Sequence, residues 1–263
     1  MTGARVAPVA AGPIFRAEDI AINFGGIRAV DGVSFAVDPG EVFTIIGPNG
    51  AGKTTIFNLV SRIYDASQGR LIFRGEDITH APPHEVARRG IARTFQNIEL
   101  FERATVLQNL LLGRHAHKRS RFVEELLFLP RARALELAHR EAVEKVIDFL
   151  DLQPYRDSLI VNLPYGVRKV VEMGRALCTE PALLLLDEPS SGLSVEETED
   201  MAFWIQDIRD LLGVTVLMVE HDMSLVTAVS DQVLALNYGR VIAAGSARDV
   251  QEHPEVIKAY LGG

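Results

Sequence analysis

Runs of apolar residues that end in polar or glycine-rich segments recur along the chain and predict its architecture. Residues 42–46, 183–186 and 214–219 are apolar at nearly every position. Continuous runs of this length are typical of parallel strands that are buried on both faces. Residues 14–24 alternate imperfectly instead, which predicts a strand that ends at Gly25.

Capping and turn residues place helices between these strands. Helices are predicted to begin at Lys53, at Pro83 and after Ser194, where Glu197 completes a capping box. Further short strands are predicted at residues 70–73, 233–236 and 241–245, and a last helix from 254 to 261. Strands that alternate with helices in this way indicate an α/β fold.

The middle of the chain has a different character. Residues 104–152 contain little glycine, and their apolar positions follow a helical period. We predict one domain over residues 14–263, with a helical subdomain at about residues 97–180 inserted in its core, after a flexible segment 1–13. The basic run 114–121 could contact anionic lipid or a partner protein, but we favour a solvated connection between helices.

The strongest chemical signal follows the first apolar run. A glycine, four residues and then Gly-Lys-Thr form the phosphate-loop pattern Gly47, Pro48, Asn49, Gly50, Ala51, Gly52, Lys53 and Thr54. Backbone N–H groups of such a loop and the start of the next helix bind phosphate oxygens. Lys53 is expected to reach the β- and γ-phosphates and Thr54 to bind Mg²⁺, while Thr55 lies one residue further into the helix. A chance glycine-rich turn is the alternative, but a strand before the loop and a helix after it favour the phosphate loop.

Two other apolar runs end in ionisable residues. Asp187 and Glu188 follow residues 183–186, and His221 lies two residues after the run 214–219. Ligands of α/β sheets bind at this carboxyl edge. Asp187 is expected to hold Mg²⁺ and Glu188 to orient or deprotonate a water, unless the pair is only an acidic loop before a helix. His221 is either a γ-phosphate ligand or a polar residue at a helix start.

Composition narrows the class of protein. The 263 residues are 48% hydrophobic with a formal net charge of -8 and a pI near 5.4, which opposes nucleic acid as a partner. The single cysteine, Cys178, is expected to be a small buried residue. No apolar run approaches membrane-spanning length and residues 1–13 lack a signal peptide, so we expect a cytoplasmic chain whose membrane role depends on a partner.

These markers together resemble the nucleotide-binding subunits of ATP-binding cassette (ABC) transporters, from Phe15 to Leu261. The markers in family order are the phosphate loop, Gln96, a signature-like Leu163-Pro164-Tyr165-Gly166-Val167, Asp187-Glu188, Ser191-Gly192-Leu193-Ser194 and His221. The resemblance implies a phosphate-loop NTPase core with a mixed sheet, which binds ATP and Mg²⁺. It also implies that Phe24 stacks on adenine, although the local pattern alone favours a core phenylalanine. By the same resemblance Gln96 is a Mg²⁺ ligand in the coupling loop, Glu188 the catalytic base and His221 the γ-phosphate switch.

The signature-like segment departs from the family pattern. The family usually has Leu-Ser-Gly-Gly-Gln, which binds ATP held by a second ATPase subunit. Here Pro164 removes both a hydroxyl and an N–H donor, and Val167 replaces the glutamine. Tyr165 and Gly166 remain as expected nucleotide contacts, and Ser194 stands where many relatives have aspartate. We therefore predict a heterodimer with two unequal ATP sites, although a homodimer stays open.

The long helical insertion and the ending 253–262 look like the larger ATPase of branched-chain amino acid importers. That resemblance implies two transmembrane permease subunits, a solute-binding protein outside the membrane, and a peripheral position on the cytoplasmic face of the inner membrane. Related systems carry urea, short amides or aromatic acids, and this chain would never touch the solute. Three alternatives remain: a soluble ABC-type ATPase, a non-hydrolysing nucleotide-binding regulator and a small-molecule kinase.

Overall fold

The computed structural model describes residues 12–96, 98–114 and 130–261, without the side chains of 130–133 and 261. Two sheets lie at its centre. The first has the order β2-β1-β4-β5, with all neighbours antiparallel. Its strands are β1 Phe15–Phe24, β2 Ile27–Val37, β4 Gln68–Phe73 and β5 Glu76–Asp77.

The second sheet has the order β10-β9-β3-β8-β7-β6. Its strands are β3 Val42–Ile46, β6 Ile91–Arg93, β7 Leu183–Asp187, β8 Thr215–Val219, β9 Gln232–Asn237 and β10 Arg240–Gly245. Five of these strands run parallel, and β10 joins the edge antiparallel to β9. The predicted α/β fold with a mixed sheet is therefore confirmed.

Helices cover both faces of the second sheet. They are α1 Lys53–Val60, α2 Pro83–Arg89, α3 Val106–Gly113, α4 Pro130–Phe149, α5 Tyr165–Leu177, α6 Val195–Asp210, α7 Met223–Val229, α8 Ala247–Gln251 and α9 Pro254–Leu261. The predicted capping box of α6 forms, because Ser194 and Glu197 exchange hydrogen bonds. None of the described helices combines the length and the apolar composition that a membrane crossing needs.

Buried side chains form three clusters. One lies between the two sheets and α1, and a second packs α3, α4, α5 and α6 on the opposite face of the parallel sheet. The third, around Ile46, Val226 and Val256, lies near the end of β3. Cys178 belongs to the second cluster, and burial raises its pKa to about 12, as expected for a structural cysteine.

Two elements differ from the sequence-based prediction. Strand β2 was not predicted, because polar residues and Gly32 interrupt its apolar positions, yet it pairs with β1. Glu76 and Asp77 form the short strand β5, which was not predicted either. The helical subdomain stays a prediction as a separate unit, and the predicted flexible segment lies mostly outside the described residues.

Candidate active site

The phosphate-loop segment connects β3 to α1 and requires glycine at two positions. Gly47 and Gly52 both have positive φ, at 151° and 101°. A Cβ on Gly47 would collide with the carbonyl oxygen of Leu236, and one on Gly52 would lie 2.6 Å from that of Ala29. Gly52 caps α1 without a side-chain hydrogen bond. The loop is therefore tightly packed, and the N-cap residue of α1 offers no side chain to the first N–H groups of the helix.

Lys53 lies inside this loop. Its side chain is 6% exposed, and its ammonium donates to the carbonyl oxygens of Gly47 at 2.6 Å and Pro48 at 3.1 Å. Burial lowers the pKa of Lys53, while the nearby carboxylates of Glu188 and Asp187 oppose that shift. The loop thus holds a buried positive charge that can attract a phosphate group.

Asp187 ends β7 next to the loop and is 2% exposed. Its Oδ2 accepts a hydrogen bond from Nη2 of Arg93 at 2.7 Å. No described residue donates a hydrogen bond to its buried Oδ1. An orphaned carboxylate oxygen of this kind fits a hard cation such as Mg²⁺, or a water bound to it. Thr54 is exposed at the start of α1.

Glu188 has a left-handed backbone with φ 49°, which is uncommon outside glycine. Its N–H donates to the carbonyl of Val219 at 2.9 Å, and its own carbonyl accepts from the ammonium of Lys169 at 3.1 Å. Strained residues fixed by their surroundings are frequent at functional sites. The bonds to β8 and α5 therefore hold the backbone of Glu188 in this conformation.

Two other predicted residues meet Glu188. Gln96 donates from Nε2 to Oε2 at 2.8 Å, and Nδ1 of His221 lies 3.8 Å from Oε1. These residues come from the segments after β6, β7 and β8, which are adjacent parallel strands. The structure thus brings Gln96, Glu188 and His221 to one edge of the sheet. The sequence predicted this shared edge for Glu188 and His221, whereas Gln96 was named by the family resemblance alone.

Glu220 holds the His221 segment in place. Its side chain is fully buried and accepts from the N–H groups of His221 at 2.6 Å and Asp222 at 3.1 Å. Its other oxygen accepts from the N–H and hydroxyl of Ser190 at 2.9 and 2.6 Å. One carboxylate thereby links the loops after β7 and β8.

Sequence reasoning assigned no role to Arg93, Lys169 or Glu220. Of these three residues, only Glu220 could have been found from the sequence, because it is a charged residue directly after a predicted apolar strand. The partners of Arg93 and Lys169 lie 94 and 19 residues away, so their contacts depend on the fold.

The signature-like segment starts α5. Pro164 is its N-cap residue, as its ring and missing N–H allow. The ring of Tyr165 lies against Gly192, where a Cβ would be 2.9 Å from it, and Gly166 lies against the carboxylate of Glu197. Within one chain, this segment thus contacts the residues that follow Glu188.

The interpretation of Phe24 as a core residue is wrong. Its side chain is 43% exposed, and its ring meets that of Tyr64 edge-on at 5.2 Å. An exposed aromatic face fits a stacking role. Of the basic run, Arg114 is buried and donates to Cys178 and Glu180, so neither interpretation suits it; residues 115–121 lie outside the described residues.

Comparisons with known proteins agree with this geometry. Residues 30–191 match the family model "ABC transporter", and residues 240–263 match "Branched-chain amino acid ATP-binding cassette transporter". The chain is 40% identical over 253 residues to the high-affinity branched-chain amino acid transport ATP-binding protein BraF of Pseudomonas aeruginosa, covering 95% of this chain and 98% of that protein. Identity to LivG of Escherichia coli is 35% with the same coverage.

Two solved structures of ATP-binding cassettes superimpose with a TM-score of 0.84 at 33% identity. One is nucleotide-free, and the match covers 95% of this chain and all of that one. The other is the ADP conformation of MJ1267, with coverage of 95% and 99%.

Proposed function

The chain belongs to the ABC transporter family of ATP-binding proteins, and we propose that it hydrolyses ATP to energise an importer of branched-chain amino acids or similar small solutes. The meeting of Gln96, Glu188 and His221 beside the phosphate loop is the observation that carries the hydrolytic part. The names of relatives that are 35 to 40% identical support the class of solute.

In this proposal the loop binds ATP through backbone groups and one lysine. The N–H groups of the loop and of the first turn of α1 bind the phosphate oxygens. Lys53 exchanges its carbonyl partners for the β- and γ-phosphates. Phe24 offers its exposed ring to the adenine.

Mg²⁺ fits the carboxylate at the end of β7. Thr54, Gln96 and Asp187 would hold it, and the buried Oδ1 of Asp187 is the oxygen that lacks a partner. When bound, the cation would neutralise charge on the phosphates. Arg93 keeps the other oxygen of Asp187 occupied, so this carboxylate presents one oxygen in a fixed direction.

Glu188 acts as the general base that accepts a proton from the attacking water. Gln96 and Lys169 hold this residue at its side chain and its carbonyl, respectively. His221, steadied by Glu220, would donate a hydrogen bond to the γ-phosphate. Glu188, Gln96 and His221 would thus need little rearrangement when the substrate binds, which would lower the cost of reorganisation.

Each ATP site would be completed by a second ATPase subunit. Pro164, Tyr165 and Gly166 would face the nucleotide of that subunit, and Pro164 offers no hydroxyl and no N–H. We expect a heterodimer in which the phosphate loop of this chain serves the faster site.

Transport requires partners in the membrane. We propose two transmembrane permease subunits, a solute-binding protein outside the membrane, and a peripheral position of this chain on the cytoplasmic face of the inner membrane. ATP would close the two ATPases, and hydrolysis would reopen them, so that the permeases change between two states.

Reconstitution tests the proposal. The chain is purified with its membrane partners, placed in vesicles with the solute-binding protein, and tested for ATP-dependent uptake of leucine, urea, a short amide and an aromatic acid. Leucine uptake that the Glu188→Gln complex lacks is the expected result. ATP hydrolysis that needs no membrane partner and drives no uptake would favour a soluble ATPase. No ATP hydrolysis at all would favour a nucleotide-binding regulator, and a phosphorylated small molecule would favour a kinase.

A further inference from the structure

A hydrogen bond connects the last helix to the phosphate loop. The N–H of Gly47 donates to the hydroxyl oxygen of Tyr260 at 2.9 Å, across 213 positions of sequence. Gly47 follows Ile46, the last residue of β3, and is the first residue of the loop. The family match over residues 240–263 includes Tyr260, but nothing in that match gives the residue a role.

Both backbone polar groups of Gly47 make hydrogen bonds to side chains. Its N–H bonds to Tyr260, and its carbonyl oxygen accepts from the ammonium of Lys53 at 2.6 Å. Its backbone also packs against the carbonyl of Leu236, which leaves no room for a Cβ. Tyr260 therefore fixes the N–H side of the same residue whose carbonyl holds the phosphate-binding lysine.

Tyr260 is itself 40% exposed, and its helix is held in place by a neighbouring residue. Val256, one turn earlier on α9, is 4% exposed and belongs to the same buried cluster as Ile46, the last residue of β3. Residues four apart lie on one face of a helix. The burial of α9 in this cluster therefore also places Tyr260, one turn later, beside Gly47.

The loop is also bonded to the turn after β9, where the N–H of Gly239 donates to the carbonyl oxygen of Ala51 at 2.9 Å. A cavity of about 400 Å³ separates residues 48–51 of the loop from α9, where Glu255, Lys258 and Ala259 line it. Burial raises the pKa of Tyr260, so the hydroxyl stays protonated at neutral pH. A neutral hydroxyl oxygen remains an acceptor for Gly47 throughout that range.

We propose that Tyr260 is a positioning residue for nucleotide binding: it pins the entry of the phosphate loop, so that the C-terminal helix sets how tightly the loop holds the phosphates. The proposal rests on nucleotide binding at this loop and extends the proposed function. It gives the C-terminal segment a role within the subunit itself.

Tyr260→Phe removes only the hydroxyl, and the probe is ADP binding to the purified full chain by calorimetry. The loss of one such bond is expected to raise the Kd for ADP about three- to tenfold. Tyr155→Phe is the matched control, because Tyr155 packs among the helices of the second cluster. An unchanged Kd in Tyr260→Phe, or an equal rise in Tyr155→Phe, overturns the proposal.

Two further measurements separate positioning from general destabilisation. Hydrogen exchange at the Gly47 amide should accelerate in Tyr260→Phe, while exchange in β7 and β8 stays as in the unmodified chain. In a Lys53→Ala background, Tyr260→Phe should change the Kd for ADP less than it does alone, because both residues act through Gly47. Uniformly faster exchange, or fully additive effects, would contradict the proposal. A complex that binds ADP normally but fails to transport would refute the transport function and leave this inference intact.

Discussion

Gln96 donates a hydrogen bond to the carboxylate of Glu188 at 2.8 Å, although 92 positions separate the two residues. The parallel pairing of β6 with β7 brings Gln96 and Glu188 together, because Arg93 lies opposite Leu185 and both strands run in the same direction. Gln96, which the family resemblance places in the coupling loop, thus contacts the proposed base directly. Movement of either residue must change the hydrogen bonding of the other.

Glu188→Gln tests the proposed base. The amide keeps the size of the side chain and can still accept from Gln96, but it cannot take a proton. We expect kcat for ATP hydrolysis by the assembled complex to fall about 10²- to 10⁴-fold, with little change in the Kd for ATP. Glu136→Gln on the exposed face of α4 is the control and should leave turnover as it is. Retained turnover in Glu188→Gln would exclude Glu188 as the base.

The proposed inequality of the two ATP sites predicts unequal effects of this change. Glu188→Gln removes the base of the faster site, whereas the equivalent change in the partner removes that of the slower one. We expect the first variant to lose more ATPase activity than the second in otherwise identical complexes. Equal losses would mean that Pro164 does not weaken the site it serves.

The sequence predicted those site residues that follow apolar runs. Asp187, Glu188 and His221 each come after such a run, so their shared edge followed from the rule that parallel strands carry ligands at their carboxyl ends. Phe24 shows the limit of a local pattern, because its alternation fits a buried residue although β1 ends in solvent there. Tyr260 could not be predicted, because its partner is a backbone N–H that only the packing of α9 brings near.

Arg93→Met tests the buried ion pair with Asp187. Both side chains are almost fully buried, so removal of the guanidinium leaves an uncompensated carboxylate. We expect the free energy of unfolding to fall by about 3–5 kcal/mol in urea denaturation, and Mg²⁺ with ADP to restore part of it. The control is Arg140→Met, whose pair with Glu136 is exposed and should contribute about 0.3–0.5 kcal/mol. Similar losses in both variants would show that the buried pair has no special weight.

Alanine substitutions in the loop separate steric from conformational effects. Gly50 and Gly52 both have positive φ, at 80° and 101°, so alanine strains the backbone at either position. A Cβ at Gly52 also lies 2.6 Å from the carbonyl of Ala29, whereas one at Gly50 meets nothing within 4 Å. We expect Gly52→Ala to weaken ADP binding more than Gly50→Ala in calorimetry, with circular dichroism as the check on folding. The reverse order would contradict the loop geometry.

Glu172 gives a pH dependence of stability. Its carboxylate is buried on α5, near Lys169 and 3.9 Å from Arg175, and burial raises its pKa above the ordinary 4.5 despite these cations. The folded state therefore holds the proton more tightly than the unfolded state does. The stability that Glu172 contributes is full below about pH 4.5 and is lost as pH rises through the folded pKa.

Glu172→Gln mimics the protonated side chain and can still accept the hydrogen bond from the N–H of Phe95. We expect it to raise the Tm at about pH 8, with a gain that shrinks as the pH falls towards the unfolded pKa of Glu172. Thermal unfolding across this range measures the effect, and Glu136→Gln, whose carboxylate is exposed, should show little change at any pH. A Tm gain that grows on acidification, or a loss at about pH 8, would mean that the backbone hydrogen bonds from Phe95 and Glu99, together with Arg175 and Lys169, outweigh burial and hold Glu172 ionised in the folded state.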